Sequence, residues 1–270
     1  GCGGGAPGSG LGHERRPYSA VASGHIDRVR RSAQPARSVP GSRHADGVQS
    51  SLVHRHVLAH IELDVSATAD MVLAIAVADD LDRVSESLDI TRDGTPLAPQ
   101  PIGAPHGGRL HQLRDVEPGL ITIDYRATVL SAARPIPVGD SEWYQYIRPS
   151  RYCESDRLGP LARAEFAGLD DHELLAAVSS WVGSQIAYMP GSSRPIDGAV
   201  STLLARSGVC RDFAHLTVAL LRANGVPARV VSVYAPGLDP MDFHAVAEAC
   251  VDDAWYVVDT KTNKVVSGPF

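Results

Sequence analysis

The sequence predicts an α+β protein with an N-terminal antiparallel β-sandwich-like domain, followed by a core of helices packed on a second antiparallel sheet. Short segments with alternating apolar and polar residues occupy residues 51–147. Helical spacing of apolar residues dominates residues 170–224, and β-branched residues return from residue 228 to residue 259. Because the strands and helices are grouped rather than alternating, we expect two domains, 51–147 and 148–270, and no parallel βαβ sheet.

Composition and charge exclude several classes of function. A chain of 270 residues with 44% hydrophobic residues is long enough for two buried cores. The formal net charge of −6 gives no reason to expect a nucleic acid or an anionic membrane as a partner. Since no apolar run has the length of a signal peptide core or a membrane span, we expect a cytoplasmic protein. The oligomeric state is not predicted.

The first 50 residues differ in composition from the rest of the chain. They begin with Gly-Cys-Gly-Gly-Gly-Ala-Pro-Gly-Ser-Gly and continue with scattered Arg, Pro and Ser. Such a segment offers too little apolar surface to offset the entropy lost on ordering, so it is predicted to be a disordered tail.

The strands of the first domain are predicted from alternation. In Leu120–Val129 the residues Ile121, Ile123 and Tyr125 alternate with polar neighbours, which places them on one buried face. Further strands are predicted in 56–65 and 71–77, with turns at Asp93-Gly94 and Pro118-Gly119 and a proline-rich linker at 134–137.

A histidine row in the first strand raises the alternative of a metal-binding protein. His54, His56 and His60 share one face of a strand, but no carboxylate cluster accompanies them. The four cysteines lack the Cys-x-x-Cys spacing of a zinc site. We therefore expect a polar surface strand, no metal and no other cofactor.

The segment that links the two domains combines aromatic and arginine residues. Residues 143–152 fit a substrate cleft and a domain interface equally well, and Cys153 after them is expected to be structural. A helix is predicted from the N-cap Asp170 through Ile186, with Glu173 completing a capping box. A second helix is predicted over 199–206.

The chemistry is expected to centre on Cys210. Ser207 and Gly208 precede it as loop residues, and Asn224-Gly225 ends the helix that it begins. Cys210 then lies where unpaired backbone N–H groups and the helix dipole favour a thiolate. The alternative is a small buried residue that begins a core helix. The helical pattern is carried by Phe213, Thr217, Leu220, Leu221 and Asn224.

A predicted hairpin brings a histidine and an aspartate together. With a two-residue turn at Asp252-Asp253, Val246 faces Asp259, and His244 lies one diagonal step from Asp259 on the same face. A change of one residue in the turn would separate them. A cysteine, a histidine and an aspartate are the nucleophile, base and orienting group of acyl-transfer enzymes.

These motifs resemble the bacterial transglutaminase-like superfamily, whose catalytic core is similar to that of papain-like cysteine proteases. The likeness lies in Gly-Val-Cys-Arg-Asp-Phe-Ala-His-Leu, in Asp-Phe-His-Ala-Val and in Trp-Tyr-Val-Val-Asp, and it extends over residues 52–260. The resemblance implies a catalytic triad of Cys210, His244 and Asp259. It also implies an aromatic donor to the oxyanion, for which Tyr188 is the candidate.

The implied reaction is acyl transfer on an amide bond of a protein or peptide substrate, through a thioester on Cys210. Water would complete hydrolysis and an amine would complete transamidation, and the sequence leaves both open. A catalytically silent interaction module of the same fold is the alternative. His215, five residues after Cys210, is expected to serve packing or to lie on the surface rather than act as the base.

The end of the chain departs from the family pattern. Asp259 is followed by Thr-Lys-Thr-Asn-Lys rather than by Asp-Pro-Thr-like residues, and both lysines of the chain, Lys261 and Lys264, lie here. We therefore expect a shortened C-terminus that leaves the strand carrying Asp259 at the edge of its sheet. An edge strand exposes unpaired N–H and C=O groups, so low turnover and self-association are expected.

Overall fold

The computed structural model describes residues 54–130, 138–235, 238, 242–260 and 264–267. The tail predicted over 1–50 and the linker predicted at 134–137 lie outside these residues. Among the described residues, no helix combines the length and apolar character needed to cross a membrane.

Seven strands form the predicted antiparallel sandwich. One sheet has the order β1-β7-β3-β4, and the other has the order β2-β6-β5. Ile121, Ile123 and Tyr125 of the longest central strand are buried in the core, as their alternation predicts. The second predicted strand is shorter than expected, because regular pairing stops at Leu73. The strands are β1 (His54–Val65), β2 (Ala69–Leu73), β3 (Arg83–Arg92), β4 (Thr95–Pro96), β5 (Gln100–Gly103), β6 (Arg109–Val116) and β7 (Gly119–Leu130).

Five helices and two short strands follow the sandwich. The first helix falls inside the range predicted for the β-rich domain. Asp170 is the N-cap of the third helix, but its side chain makes no cap hydrogen bond, so the predicted capping box is wrong. The elements are α1 (Asp140–Tyr146), α2 (Ser155–Phe166), α3 (Asp171–Gln185), β8 (Ala187–Tyr188), α4 (Ala199–Ala205), β9 (Ser207–Gly208) and α5 (Cys210–Ala223).

The helix α5 is the centre of this second core. Every residue from Asp212 to Leu221 is buried, and α2, α3 and α4 pack around it. A helix that is buried on all sides belongs to the interior of a domain rather than to its surface. Gly225, at φ +85°, ends the helix: its N–H donates to Arg222 O, and the N–H of Val226 donates to Leu221 O. This pair of hydrogen bonds is a Schellman motif, as the Asn-Gly signal predicts.

A second antiparallel sheet packs against α5. Its strands are ordered β10-β11-β12-β13, namely β10 (Ala228–Val233), β11 (His244–Val251), β12 (Ala254–Asp259) and β13 (Lys264–Ser267). Asp252 and Asp253 have φ values of 48° and 56°, which is the backbone of a two-residue type I′ turn. The predicted hairpin is therefore present.

The expectation that the strand carrying Asp259 lies at an edge is wrong. β13 pairs with β12, and Asp259 is opposite Lys264. The backbone groups of β12 therefore have ladder partners on both sides, and the open edge of the sheet moves to β13.

Candidate active site

Cys210 is the first residue of α5, as the sequence predicts. Val209 is the N-cap in extended conformation, and its carbonyl oxygen accepts the N–H groups of Asp212 and Phe213, so the N–H groups of Cys210 and Arg211 are the ones that lie ahead of the first intrahelical hydrogen bond. The thiol therefore lies at the positive end of the helix dipole, next to backbone donors that can stabilise negative charge.

A buried carboxylate holds this helix start in place. Asp212 is 1% exposed, and its Oδ2 accepts the N–H of Val209 at 2.8 Å while its Oδ1 accepts the hydroxyl of Ser193 at 2.9 Å. A Cβ on Gly208 would lie 2.6 Å from the Cβ of Asp212, so only glycine fits there. The sequence alone does not predict this role of Asp212. An acid at the third helical position, as in a capping box, is the signal that could have revealed its role.

His244 is the first residue of β11 and is buried. The Asp259 carboxylate and then the Cys210 sulfur favour the charged imidazole and, against the opposing effect of burial, raise the pKa of His244 to about 9. The ring is therefore an imidazolium at neutral pH.

Asp259 is the last residue of β12. Ala247 pairs with Val258 in the β11–β12 ladder, and extending this register by one residue places Val246 opposite Asp259. Nε2 of His244 lies 3.8 Å from Oδ1 of Asp259, which is an ion-pair distance longer than a hydrogen bond. The geometry therefore matches the diagonal placement that the hairpin predicts.

The environment of Cys210 favours the thiolate. Burial opposes the charged form, but the hydrogen bond with His244 and the N–H groups of Ala245 and Arg211 outweigh it and lower the pKa of Cys210. Sγ also lies 3.8 Å from the carbonyl oxygen of Phe243. A lowered cysteine pKa beside a raised histidine pKa is the direction of change that favours a thiolate–imidazolium pair.

Tyr188 lies beside the same helix start. β8 and β9 pair in parallel with Tyr188 opposite Gly208, and the ring centroid of Tyr188 is 6.2 Å from that of Phe213 on α5. The side chain is 43% exposed. Burial, the Cys210 sulfur and the Asp242 carboxylate raise the pKa of Tyr188, so its hydroxyl keeps the proton that an oxyanion donor needs.

The histidine row of β1 does not join this site. His56 Nδ1 is within hydrogen-bond distance of Thr128 Oγ1 at 3.1 Å, and His60 Nδ1 is 2.9 Å from Asp124 Oδ1. Among the described residues, no group of three or more His, Cys, Asp or Glu side chains could hold a metal ion. These histidines thus act as polar residues across the β1–β7 ladder.

His215, Cys153 and Cys250 serve packing. The ring of His215 is buried and stacks on Tyr152 with centroids 5.3 Å apart, and burial lowers the pKa of His215 to about 4. Cys153 and Cys250 are buried, and burial raises the pKa of both thiols. Within the described part of the chain, Cys210 is therefore the thiol that is both accessible and acidified.

One residue of the aromatic segment before the second core lies at the domain interface. Tyr146 packs there, where its hydroxyl lies 2.6 Å from Nε2 of His106 and its ring meets Trp255 edge-on. Trp143 and Tyr144 are exposed.

Comparisons with known proteins support the fold. A solved structure of a proposed cysteine protease from Cytophaga hutchinsonii has a TM-score of 0.66 and 27% identity, covering 80% of this chain and 82% of that chain. An uncharacterized protein of Mycobacterium leprae is 30% identical over 91 residues, which is 33% of each chain. An uncharacterized protein of Mycobacterium tuberculosis is 43% identical over 74 residues, 26% of this chain and 24% of that one.

The chain thus matches only a quarter to a third of the length of these curated relatives. Residues 164–260 match the transglutaminase-like superfamily, a range that contains Tyr188, Cys210, His244 and Asp259. The fold and this match agree, and residues 164–260 are therefore similar to the transglutaminase-like superfamily.

Proposed function

We propose that this protein transfers the acyl group of an amide bond in a protein or peptide, with Cys210 as the nucleophile. The observation that carries the proposal is the placement of Cys210 at the start of a buried helix, beside a buried His244 whose Nε2 lies 3.8 Å from Oδ1 of Asp259. The lowered pKa of Cys210 and the raised pKa of His244 agree with this placement. A catalytically silent module has no need of a charged pair whose burial is costly.

The proposed reaction begins with attack of the Cys210 thiolate on the amide carbonyl. The negative charge that develops on the carbonyl oxygen is stabilised by the N–H of Cys210 and by the hydroxyl of Tyr188. His244 then gives its proton to the leaving amine, and the C–N bond breaks to leave a thioester on Cys210. Asp259 keeps the imidazole oriented and stabilises its charge.

Neutral His244 next removes a proton from the molecule that accepts the acyl group, either water or a primary amine. The acceptor attacks the thioester carbonyl and the C–S bond breaks, which returns the Cys210 thiolate beside a protonated His244. Water yields a carboxylic acid, whereas a primary amine yields a new amide. We propose hydrolysis as the main outcome, and the likeness to the structure from Cytophaga hutchinsonii supports it. Transamidation is the competing outcome of the same thioester.

The first test is selective alkylation. With sub-stoichiometric iodoacetamide near neutral pH, we expect the adduct on Cys210, because Cys153 and Cys250 are buried with raised pKa values. Peptide mapping by mass spectrometry identifies the site. Equal labelling of Cys2, Cys153 or Cys250 would show that Cys210 is not an activated thiol.

The second step is turnover of a peptide library with and without a fluorescent primary amine. Cys210→Ser is the matched control and should lower turnover by about 10⁴-fold or more. Incorporation of the amine into product in preference to water would replace hydrolysis by transamidation. Selective alkylation of Cys210 without acyl transfer to either acceptor would favour the silent module.

A further inference from the structure

The residue that precedes His244 connects the candidate active site to the β-sandwich. The carbonyl oxygen of Phe243 faces Sγ of Cys210 at 3.8 Å, whereas its ring packs against the hydrophobic core of the sandwich. Phe243 therefore contacts Cys210 through its backbone carbonyl and the β-sandwich through its ring.

Tyr234, one residue beyond β10, completes this connection. Its ring lies 6.2 Å from that of Phe243, tilted by 56°, and 6.4 Å from that of Tyr125, nearly parallel at 26°. Its hydroxyl donates a hydrogen bond to the carbonyl oxygen of Ile75 at 2.6 Å. Tyr234 thus binds to the sandwich through one stacked ring and one hydrogen bond.

The sandwich presents a rigid anchor at this place. Tyr125 is buried, its hydroxyl donates to Glu86 Oε1 at 2.6 Å and accepts the N–H of Val77 at 2.9 Å. Glu86 in turn forms two hydrogen bonds with Arg109, at 2.6 and 3.0 Å. A two-point pair of arginine and carboxylate resists displacement, so the ring on which Tyr234 stacks is fixed.

Tyr234 and His244 also share one end of the second sheet. Val233, the residue before Tyr234, pairs with His244 across β10 and β11. A shift of Tyr234 would therefore be passed to His244 by the ladder and by the ring of Phe243. An error of about 1 Å in a reacting group is enough to reduce catalysis strongly.

We propose that Tyr234 is a positioning residue, which fastens Phe243 and His244 to the β-sandwich so that the imidazole meets Cys210 in hydrogen-bond geometry. The β-sandwich then helps to position the active-site residues and is not merely an adjacent domain. This inference rests on the proposed function, since it concerns the thiolate–imidazolium pair of that reaction.

The test compares the pH dependence of Cys210 alkylation in three variants. Tyr234→Phe keeps the ring and loses the hydrogen bond, and Tyr234→Leu loses both. Tyr146→Phe is the matched control, because it removes another hydroxyl contact of the same domain interface, with His106. Tyr146 packs on Trp255. Trp255 lies four residues before Asp259 along β12, so these two residues are about 13 Å apart.

We expect a few-fold slower alkylation at pH 6.5 in Tyr234→Phe and a tenfold or larger loss in Tyr234→Leu. The acid limb of the profile should move towards the pKa of a free thiol, whereas Tyr146→Phe should keep the wild-type profile. A purely structural role of Tyr234 would lower the thermal midpoint without moving this limb. If Tyr234→Leu does not fold, Tyr234→Phe alone decides between the two roles.

A wild-type profile in the folded Tyr234 variants would overturn the positioning role and leave the proposed function intact. If instead the wild-type protein itself shows no enhanced reactivity at pH 6.5, it is the proposed function that fails. The two failures are therefore distinguishable.

Discussion

At the scale of single residues, the arrangement of Cys210, His244 and Asp259 depends on interactions between charges that are buried away from water. His244 is buried, and its charge is stabilised by a carboxylate on one side and a sulfur on the other. In such surroundings a charge interaction is much stronger than in water, so either partner alone would be costly to bury. Removing one member of the set should consequently change the titration of the others.

His244→Ala should abolish the enhanced reactivity of Cys210. Without the imidazole, the N–H groups of Ala245 and Arg211 still favour the thiolate, but burial, the largest single effect, opposes it, so the pKa of Cys210 should rise towards that of a free thiol, about 8.5. At pH 6.5 a thiol with a pKa of about 8.5 is about 1% ionised, so the alkylation rate should fall, by at most about 10²-fold. Asp259→Asn should give a smaller loss with the fold intact. A wild-type pH profile in His244→Ala would exclude the ion pair.

Turnover in the wild-type protein should show a bell-shaped dependence on pH. The acid limb reflects protonation of the thiolate, whose pKa is lowered, and the alkaline limb reflects loss of the imidazolium proton near pH 9. Stopped assays of peptide cleavage from pH 5 to pH 10 measure both limbs. An alkaline limb near pH 6.5 would mean that His244 is not charged in the free enzyme.

Tyr188→Phe should separate the acyl-transfer step from thiol activation. The variant keeps the ring against Phe213 and loses only the hydroxyl, so alkylation of Cys210 should be unchanged. Turnover should fall by about 10²-fold, as expected for one oxyanion donor. Tyr144→Phe, which alters a fully solvated hydroxyl, is the control. Unchanged turnover in Tyr188→Phe would show that a group other than the Tyr188 hydroxyl is the second hydrogen-bond donor to the oxyanion.

Local signals explain why these residues were predictable and others were not. Cys210 is marked by a helix start, and the His244–Asp259 geometry follows from one turn of known length. The roles of Asp212, Phe243 and Tyr234 depend on contacts with residues 19 to 159 positions away, such as Ser193 and Ile75. No spacing rule within one element encodes such contacts.

At the scale of elements, the position of β12 depends on a glycine in α3. A Cβ on Gly183 would lie 2.9 Å from the carbonyl oxygen of Thr260, the residue after Asp259. The hydroxyl of Ser179, one turn earlier on α3, lies 3.5 Å from the carbonyl oxygen of Asp259. The helix thus approaches the strand end so closely that a side chain has no room.

Gly183→Ala should therefore destabilise the protein and move Asp259. Overpacking costs about 1–3 kcal/mol, more than the 0.5–1 kcal/mol that alanine gains over glycine inside a helix. Gly159→Ala in α2 is the control, because its Cβ would meet only the flexible end of Arg163. Thermal unfolding and alkylation at pH 6.5 should both fall for Gly183→Ala alone. Equal behaviour of the two variants would show that the strand end adapts without cost.

The elements themselves follow from the sequence wherever one face or one terminus determines them. The alternation of Ile121, Ile123 and Tyr125 and the Asn-Gly helix stop are confirmed. The capping box at Asp170 fails because side-chain hydrogen bonds compete with solvent at an exposed helix end. The sequence does not distinguish a substrate cleft from a domain interface for residues 143–152, because both are lined by the same residue types.

At the scale of the whole molecule, the second sheet extends one strand further than the sequence suggests. β13 covers β12 and places Lys264 opposite Asp259. This strand is only four residues long, Lys-Val-Val-Ser, and two of the four are apolar. Such a pattern is too short to predict a strand that pairs with β12. The ladder, rather than a longer C-terminal segment, is what fixes the strand that carries Asp259.

Deleting residues 264–270 should reproduce the consequences expected of an edge strand. The N–H and C=O groups of β12 that pair with β13 would lose their partners, which loosens Asp259 and offers a template for pairing with a second molecule. We expect a lower thermal midpoint, several-fold slower alkylation of Cys210 at pH 6.5, and concentration-dependent association in size-exclusion chromatography. Deleting residues 268–270 alone leaves the ladder intact and should change none of these. If both deletions behave alike, the orientation of Asp259 depends on α3 and not on β13.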